Sequence, residues 1–212
     1  MTTEKNIKNL IFDLGGILLN IDFQKSVDAF KEIGFNEFGN ILDNYWLNDF
    51  FHEFEKGLIS PEDFRAKIRS MSKAGVSDKD FDFAWNAMIL DIPIHRIEAL
   101  KELSKSHRLF LLSNTNIIHY DFYNADFAKQ FGLSGLEDFF EKAYFSHQIK
   151  IRKPDVEIFE MVLNENNLDA KETLFIDDFA ENLSAARELN INTVRVVTNS
   201  DFIDVLKQVI HI

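Results

Sequence analysis

The segment Leu10–Gly16 reads LIFDLGG, an apolar run that leads into an acid and two glycines. The run predicts a buried β-strand with Asp13 at its carboxyl end. Gly15 and Gly16 allow the backbone to turn sharply and to approach a ligand closely. Because ligands of open α/β sheets bind outside the carboxyl ends of the strands, Asp13 lies where chemistry is usually done. Taken alone, the segment is also compatible with an acid that caps a turn.

Length and composition limit the classes of protein. The 212 residues are 46% hydrophobic, which is enough for a core and too much for a disordered chain. The 22 phenylalanines predict a core rich in aromatic packing. A net charge of −12 disfavours nucleic acid and anionic membranes as partners, and with 0 cysteines there are no disulfides. Because no signal peptide or membrane-spanning run is evident, we expect a cytoplasmic protein.

Residues 23–91 carry apolar side chains at helical spacing and no strand pattern. Gly34 can end a helix, and Ser60 and Ser77 can serve as N-caps. These features predict a small bundle of helices inserted after the first strand. The apolar positions assigned to it are Val27, Phe30, Ile33, Ile41, Leu42, Tyr45, Trp46, Phe64, Ile68, Met71, Phe81, Phe83, Ala84 and Met88.

Beyond Pro93, short apolar runs alternate with helical patterns. This alternation predicts βαβ units, and therefore an α/β fold whose parallel sheet is covered by helices on both faces. The predicted strands are 7–12, 108–112, 143–145, 173–176 and 193–197, and the predicted helices are 94–104, 154–166, 183–189 and 201–210.

Polar residues follow these strands. Asp13 comes after the first strand, Ser113-Asn114 after the second, and Asp177-Asp178 after the fourth, while Lys153 lies shortly beyond the third. Because the carboxyl ends of parallel strands share one edge of the sheet, we expect these groups to converge. Three close carboxylates repel one another, and a hard divalent cation such as Mg²⁺ removes that repulsion.

Convergence of these groups predicts phosphoryl chemistry. Mg²⁺ favours one or two carboxylates, waters and a phosphate oxygen. Lys153 supplies a positive charge to nucleophile and phosphate, and Ser113 can donate a hydrogen bond to phosphate. Asp13 remains as the nucleophile of an aspartyl-phosphate mechanism. Taken singly, each group also has a plain structural explanation, as a helix cap, a turn or a solvated surface charge.

Four motifs, in this order along nearly the whole chain, resemble those of the haloacid dehalogenase-like hydrolase superfamily. They are Phe12-Asp13-Leu14-Gly15-Gly16, Leu112-Ser113-Asn114, Arg152-Lys153-Pro154-Asp155 and Ile176-Asp177-Asp178. The resemblance implies a Rossmann-like three-layer core, residues 1–19 and 94–212, with an inserted all-helical cap, residues 20–93. The residues after the first motif look most like the branch of α-glucose-1-phosphatase and β-phosphoglucomutase-like phosphatases.

The same resemblance implies residue roles. Asp13 would be the nucleophile, assisted by Lys153 as a second catalytic residue. A magnesium ion would be held by Asp13, by the carbonyl oxygen of Gly15, and by Asp177, Asp178 or both. The residues implied for phosphate binding are Ser113, Asn114 and Lys153.

Gly15 departs from the family pattern, which places an aspartate there as general acid and base. Such a group contributes about 10²–10⁴-fold to the rate. We therefore expect slow turnover, or a substitute acid among Asp22, His52 and His147, each of which is also explained as an ordinary surface side chain. An anomeric phosphate, which needs less protonation on leaving, is a favoured substrate hypothesis. Mutase activity is disfavoured because returning the phosphate uses the missing acid, and dehalogenation because its enzymes lack an acidic pair like Asp177-Asp178.

The leading prediction is a Mg²⁺-dependent phosphatase for a small phosphorylated metabolite, a sugar phosphate first. A weak or inactive phosphate-binding regulatory protein is the main alternative, whereas a receiver-type phosphoacceptor is disfavoured by the helical insertion. The expected partner is a small phosphate ester, with no nucleic acid and no membrane, and the chain is expected to be a monomer or weak homodimer. Residues 51–59 form either a cap loop entering the site or an ordinary helix–helix connection. Asn20–Phe23 and Ile92-Pro93 are the predicted hinges.

Overall fold

The computed structural model describes residues 6–39, 49–71, 75–132, 135–197 and 200–210. Within these ranges one sheet has five parallel strands in the order β3-β2-β1-β4-β5. The predicted parallel sheet is therefore confirmed. The chain fills one side of β1 first and then crosses to the other, so a topological switch point lies between β1 and β4. The strands are β1 (Asn9–Phe12), β2 (Arg108–Ser113), β3 (Lys142–Phe145), β4 (Thr173–Asp177) and β5 (Asn192–Arg195).

Ten α-helices occur in the same ranges. Ser60 and Ser77 are N-caps, as predicted, and each hydroxyl accepts a hydrogen bond from a backbone N–H three residues on. The helices are α1 (Phe23–Glu32), α2 (Asp49–Glu55), α3 (Pro61–Arg69), α4 (Asp78–Asn86), α5 (Ile94–Leu103), α6 (Ile117–Phe131), α7 (Ser146–Ile149), α8 (Val156–Asn166), α9 (Ala180–Glu188) and α10 (Phe202–Val209).

The central strands are buried on both faces, which gives the three layers of the core. In β1, Leu10 and Phe12 pack into one apolar cluster and Ile11 into the other. Side chains of α5, α6 and α10 complete the first cluster, and those of α8 and α9 complete the second. No helix in the described ranges is both long and apolar enough to cross a membrane.

A third apolar cluster holds helices α1 to α4 together, and it is mostly aromatic. Phe30 stacks on Phe38 with 3.7 Å between ring centroids, and Phe54 stacks on Phe64 at 3.9 Å. Ten of the 22 phenylalanines lie in residues 20–93, which make up about a third of the chain. The core assignment was wrong for Phe83 and Met71. Phe83 is 73% exposed on the outer face of α4, and Met71, which follows the end of α3, is 44% exposed. The predicted positions Ile41, Leu42, Tyr45 and Trp46 lie outside the described residues.

Two neighbouring segments connect these helices to the sheet. The Asn20 N–H donates to the Asp91 carbonyl at 3.0 Å, and the Asp22 N–H donates to the Met88 carbonyl at 2.9 Å. Ile21 and Ile89 form an antiparallel bridge between them. The chain thus leaves and re-enters the sheet layer through a paired, two-stranded connection.

Candidate functional site

The carboxyl ends of β1 and β4 bring two acids and a lysine into contact. The ammonium of Lys153 lies 2.7 Å from Asp13 Oδ1 and 2.8 Å from Asp177 Oδ2. All three residues are buried, with Lys153 only 1% exposed. The Asp13 N–H donates to the Ile176 carbonyl at 2.9 Å, so the strand pairing itself fixes the spacing of the acids. Buried charges require such pairing, because desolvation is costly without it.

The cluster contains more carboxylates than positively charged groups, and burial and this excess of acid both affect the pKa values of Asp13 and Lys153. Burial, with further contributions from Asp177 and Asp178, raises the pKa of Asp13 to about 7 against the opposing effect of Lys153. Burial opposes the charge of Lys153, but the carboxylates of Asp13 and Asp177 together raise its pKa. A single ammonium therefore faces more negative charge than it neutralises.

Asp178 supplies a third carboxylate to the same place. One oxygen from each of Asp13, Asp177 and Asp178 lies within 4.8 Å of the others. Asp178 Oδ1 is buried and accepts no hydrogen bond from the described residues. Burial, followed by the charge of Asp177, raises the pKa of Asp178 to about 6. Three hard oxygen donors, one of which has no hydrogen-bond partner in the described part of the chain, match the ligand set that Mg²⁺ prefers.

The two carboxylates that follow β4 differ in what they already contact. Asp177 Oδ1 accepts a hydrogen bond from the Phe179 N–H at 2.7 Å. Asp177 Oδ2 accepts one from Asn182 Nδ2 at 3.0 Å, in addition to its contact with Lys153. Both Asp177 oxygens are therefore engaged, whereas Asp178 has an oxygen left to offer. Sequence reasoning missed Asn182, although its place in the first turn of α9, five residues after Asp177, was a usable signal.

The two glycines after Asp13 differ in what a side chain would meet, and only Gly16 is needed for the close approach of the first motif to the acids. Gly16 has φ +75°, and a Cβ atom there would lie 2.7 Å from Asp178 Oδ2. A side chain at position 16 would therefore displace the acid. At Gly15, a Cβ atom would lie 2.6 Å from Cδ1 of Ile21, the movable end of a side chain. An acid at position 15 is thus excluded only by a contact that can shift.

Ser113 and Asn114 occupy the carboxyl end of β2, next to the cluster. Ser113 is buried and is the last residue of its strand. The Asn114 amide bonds twice to the main chain of Lys153: Nδ2 donates to the Lys153 carbonyl at 2.9 Å, and Oδ1 accepts from the Lys153 N–H at 2.9 Å. The amide therefore holds the segment that carries the lysine, and phosphate binding by Asn114 stays a prediction.

The three candidates for a substitute acid lie in separate settings. Asp22 is the N-cap of α1, where its carboxylate accepts a hydrogen bond from the Gln24 N–H at 3.0 Å. His52 lies on α2, and its pKa is lowered by burial and by the charge of Arg152. His147 is 6% exposed, and burial, followed by the charge of Lys150, lowers its pKa to about 4. A neutral histidine of this kind is a poor proton donor at pH 7.

Residues 51–59 contact the core beside the cluster. Within that segment, α2 ends at Glu55, whose carboxylate accepts a hydrogen bond from Arg152 Nε at 2.9 Å. The Gly57 carbonyl accepts one from Lys150 Nζ at 2.7 Å. Sequence reasoning missed the pair of Glu55 and Arg152, because two charges 97 positions apart carry no spacing signal.

Comparisons with known proteins agree with this architecture. A family model described as haloacid dehalogenase-like hydrolase matches residues 7–190. The D-ribitol-5-phosphate phosphatase of Bacteroides thetaiotaomicron is 30% identical over 198 residues, 92% of this chain and 95% of that protein. A crystal structure of the HAD family enzyme BT-2542 from the same species, in complex with magnesium and inorganic phosphate, is 41% identical with a TM-score of 0.84, covering 94% of this chain and 98% of that chain. A structure described as a predicted HAD-like family hydrolase from Porphyromonas gingivalis is 30% identical with a TM-score of 0.85, covering 96% of this chain and 97% of that chain.

Proposed function

The chain belongs to the haloacid dehalogenase-like hydrolase family, and from that membership we propose that it is a Mg²⁺-dependent phosphatase that transfers phosphate through Asp13. The observation that carries the proposal is the buried contact between Lys153 and Asp13 beside two further carboxylates. A nucleophilic carboxylate, a fixed cation and a metal ligand set are the groups that phosphoryl transfer requires.

Asp13, Asp178 and the carbonyl oxygen of Gly15 are the groups we assign to the magnesium ion, with Asp177 beside them. Asp178 is the stronger candidate for direct ligation because its Oδ1 accepts no hydrogen bond from the described part of the chain. The named complex of BT-2542 with magnesium and phosphate supports this assignment. When bound, the ion would offset the negative charge that gathers on the phosphoryl oxygens.

The covalent steps follow from the position of Asp13. Its carboxylate oxygen attacks phosphorus, a bond from oxygen to phosphorus forms, and the bond from phosphorus to the ester oxygen breaks. The leaving oxygen takes a proton from solvent and departs as the alcohol. Water then attacks phosphorus, the bond to Asp13 breaks, and inorganic phosphate is released as the proton passes to solvent. Lys153 holds the nucleophile in place, and Ser113 donates to a phosphoryl oxygen.

Protonation of the leaving group is the step for which this chain lacks the usual residue, because Gly15 occupies the position where the family has its acid. We propose that the substrate is a sugar phosphate or a polyol phosphate. The similarity of this chain to the D-ribitol-5-phosphate phosphatase of Bacteroides thetaiotaomicron supports this substrate class. Residues 20–93 would act as a cap that selects the alcohol part of the substrate, over a core formed by residues 1–19 and 94–212. The regulatory, non-catalytic alternative is disfavoured by likeness to a named phosphatase.

A substrate panel with a matched variant tests the function. Wild-type protein and Asp13→Asn are assayed with Mg²⁺ against sugar phosphates, polyol phosphates, nucleotides and an aryl phosphate. We expect release of phosphate by the wild type, loss of that activity with a chelator, and none in Asp13→Asn. Activity that persists in Asp13→Asn, or no activity on the whole panel, would contradict the proposal.

A further inference from the structure

Glu55, at the end of α2, is a buried carboxylate that touches the core at two points. It is 8% exposed, and its carboxylate accepts from Arg152 Nε at 2.9 Å. Its main-chain carbonyl lies 2.7 Å from the hydroxyl of Ser146, which is fully buried. A buried acid is retained only where charge and hydrogen bonds compensate its desolvation, so the end of α2 is specifically matched to this part of the core.

Both contacts lead to segments of the catalytic site. Arg152 directly precedes Lys153, the lysine that lies 2.7 Å from Asp13. On the other side, the Ser146 hydroxyl accepts a hydrogen bond from the Thr115 N–H at 2.9 Å. Thr115 follows Ser113-Asn114 in the chain. A single residue of the inserted helices thus reaches both segments that are proposed to hold phosphate.

Asn114 closes the arrangement into a ring. Its amide is bonded to the N–H and carbonyl of Lys153, each at 2.9 Å. The path therefore runs from the Glu55 carboxylate through Arg152 and Lys153 to Asn114, and back through Thr115 and Ser146 to the Glu55 carbonyl. Peptide bonds join Arg152 to Lys153 and Asn114 to Thr115. The other four links are hydrogen bonds, so each of these two segments is held on both sides.

The turn after α2 fits the core equally closely. Gly57 has φ +61°, and a Cβ atom there would lie 2.3 Å from the His147 carbonyl oxygen. Lys150 Nζ donates to the carbonyls of both Gly57 and His147, at 2.7 Å and 2.9 Å. This docking brings Glu55 to Arg152. Removal of α2 from the core would break both contacts that Glu55 makes in the ring, the one with Arg152 and the one with Ser146.

From this geometry we propose that Glu55 is a positioning residue that fixes Lys153 through Arg152, so that the phosphoryl-transfer site is complete only while α2 is docked on the core. The proposal rests on the proposed phosphatase function. It assigns to the inserted helices a part in the chemistry, in addition to the selection of substrate. In this proposal Glu55 acts through the lysine rather than by contact with substrate or metal.

The test compares Glu55→Gln with Glu53→Gln, the same change on the exposed side of the same helix. We expect Glu55→Gln to lower kcat about 10- to 100-fold, mainly without a matching rise in KM, since small misplacements of a catalytic group have effects of this size. Glu53→Gln should keep wild-type kcat. In hydrogen exchange, Glu55→Gln should raise exchange at the Thr115 and Lys153 amides, and Glu53→Gln should leave it unchanged.

A double variant, Glu55→Gln with Arg152→Gln, leaves no unpaired buried charge and serves if the single variant does not fold. It should show the same loss of kcat and the same faster exchange. Wild-type kcat and exchange in either Glu55 variant would overturn the proposal. If the wild type proves inactive on phosphate esters, the exchange measurement still decides whether Glu55 positions Lys153, so failure of the function and failure of this inference are distinguished.

Discussion

The ammonium of Lys153 lies 2.7 Å from Asp13 Oδ1, although 140 residues of sequence separate the two. The parallel sheet places Asp13 at the end of β1, and two hydrogen bonds between the Asn114 amide and the Lys153 main chain, one donated and one accepted by the amide, hold the lysine segment beside it. The two groups form a buried ion pair, and removal of one partner from such a pair is costly because it leaves the other charge buried without compensation. The contact therefore indicates a group held ready for reaction rather than a surface charge.

Removal of the lysine charge is the first prediction. In Lys153→Met, two buried carboxylates lose their counter-charge, so the pKa of Asp13 rises further and the nucleophile is protonated over more of the working range. We expect kcat to fall about 10²–10³-fold, the usual effect of losing one preorganised charge. Lys142→Met, which removes a surface lysine at the start of β3, is the matched control and should retain activity. Equal effects of the two changes would contradict the assignment.

Restoration of the missing acid is the second prediction. Gly15→Asp needs space that Cδ1 of Ile21 now fills, so it is combined with Ile21→Val. We expect kcat on a primary alkyl phosphate to rise by at least about tenfold, within the range of general acid catalysis. Aryl and anomeric phosphates, whose leaving groups need less protonation, should gain little. A gain of equal size on all three substrates would argue against a missing proton donor.

The pH dependence of magnesium binding is the third prediction. Burial and neighbouring acids raise the pKa of Asp13 to about 7, and that of Asp178 to about 6. Below these values the carboxyls hold protons that a metal must displace, so affinity should fall as the pH falls. We expect titration calorimetry to give about tenfold weaker Mg²⁺ binding at pH 6 than at pH 8, with proton release. Asp13→Asn should bind more weakly and with a flatter pH profile; an unchanged affinity from pH 8 to pH 6 in the wild type would count against the site.

Acid sensitivity through His147 is the fourth prediction. Its pKa is lowered to about 4 in the folded protein, so the unfolded chain binds more protons between that value and 6.5. His147 therefore makes the free energy of unfolding fall as the pH falls from 6.5 toward 4, and it has little such effect above pH 6.5. Urea denaturation measures the free energy of unfolding at pH 7 and at pH 5. We expect the decrease between these two pH values to be about 1–2 kcal/mol smaller in His147→Leu than in the wild type. Identical losses in both proteins would exclude His147 as the source.

The strand ends could be predicted from sequence because each is a local pattern. The first motif shows an apolar run, an acid and two glycines within seven residues, and the parallel sheet then places Asp13 beside Asp177 without further information. Helix α6 was not predicted, because apolar residues occur all around it and Phe122 is 45% exposed, which weakens the helical period.

The contacts of α2 with the core could not be predicted for a different reason. In the sequence, Glu55 and Arg152 are ordinary charged residues, which are solvated in most proteins. Only the packing of the inserted helices against the sheet buries them together. Local chemistry is thus visible in the sequence, whereas pairings across two layers depend on tertiary packing.

Trapping of the covalent intermediate tests the central claim most directly. Wild-type protein is mixed with Mg²⁺ and substrate, quenched in acid within one turnover, and treated with borohydride, which reduces an aspartyl phosphate to homoserine. Peptide mass spectrometry should then find homoserine at position 13 and at no other acid, and none in protein quenched without substrate. Phosphate release by an active enzyme with no modification of Asp13, or with the modification at Asp177 or Asp178, would contradict the account.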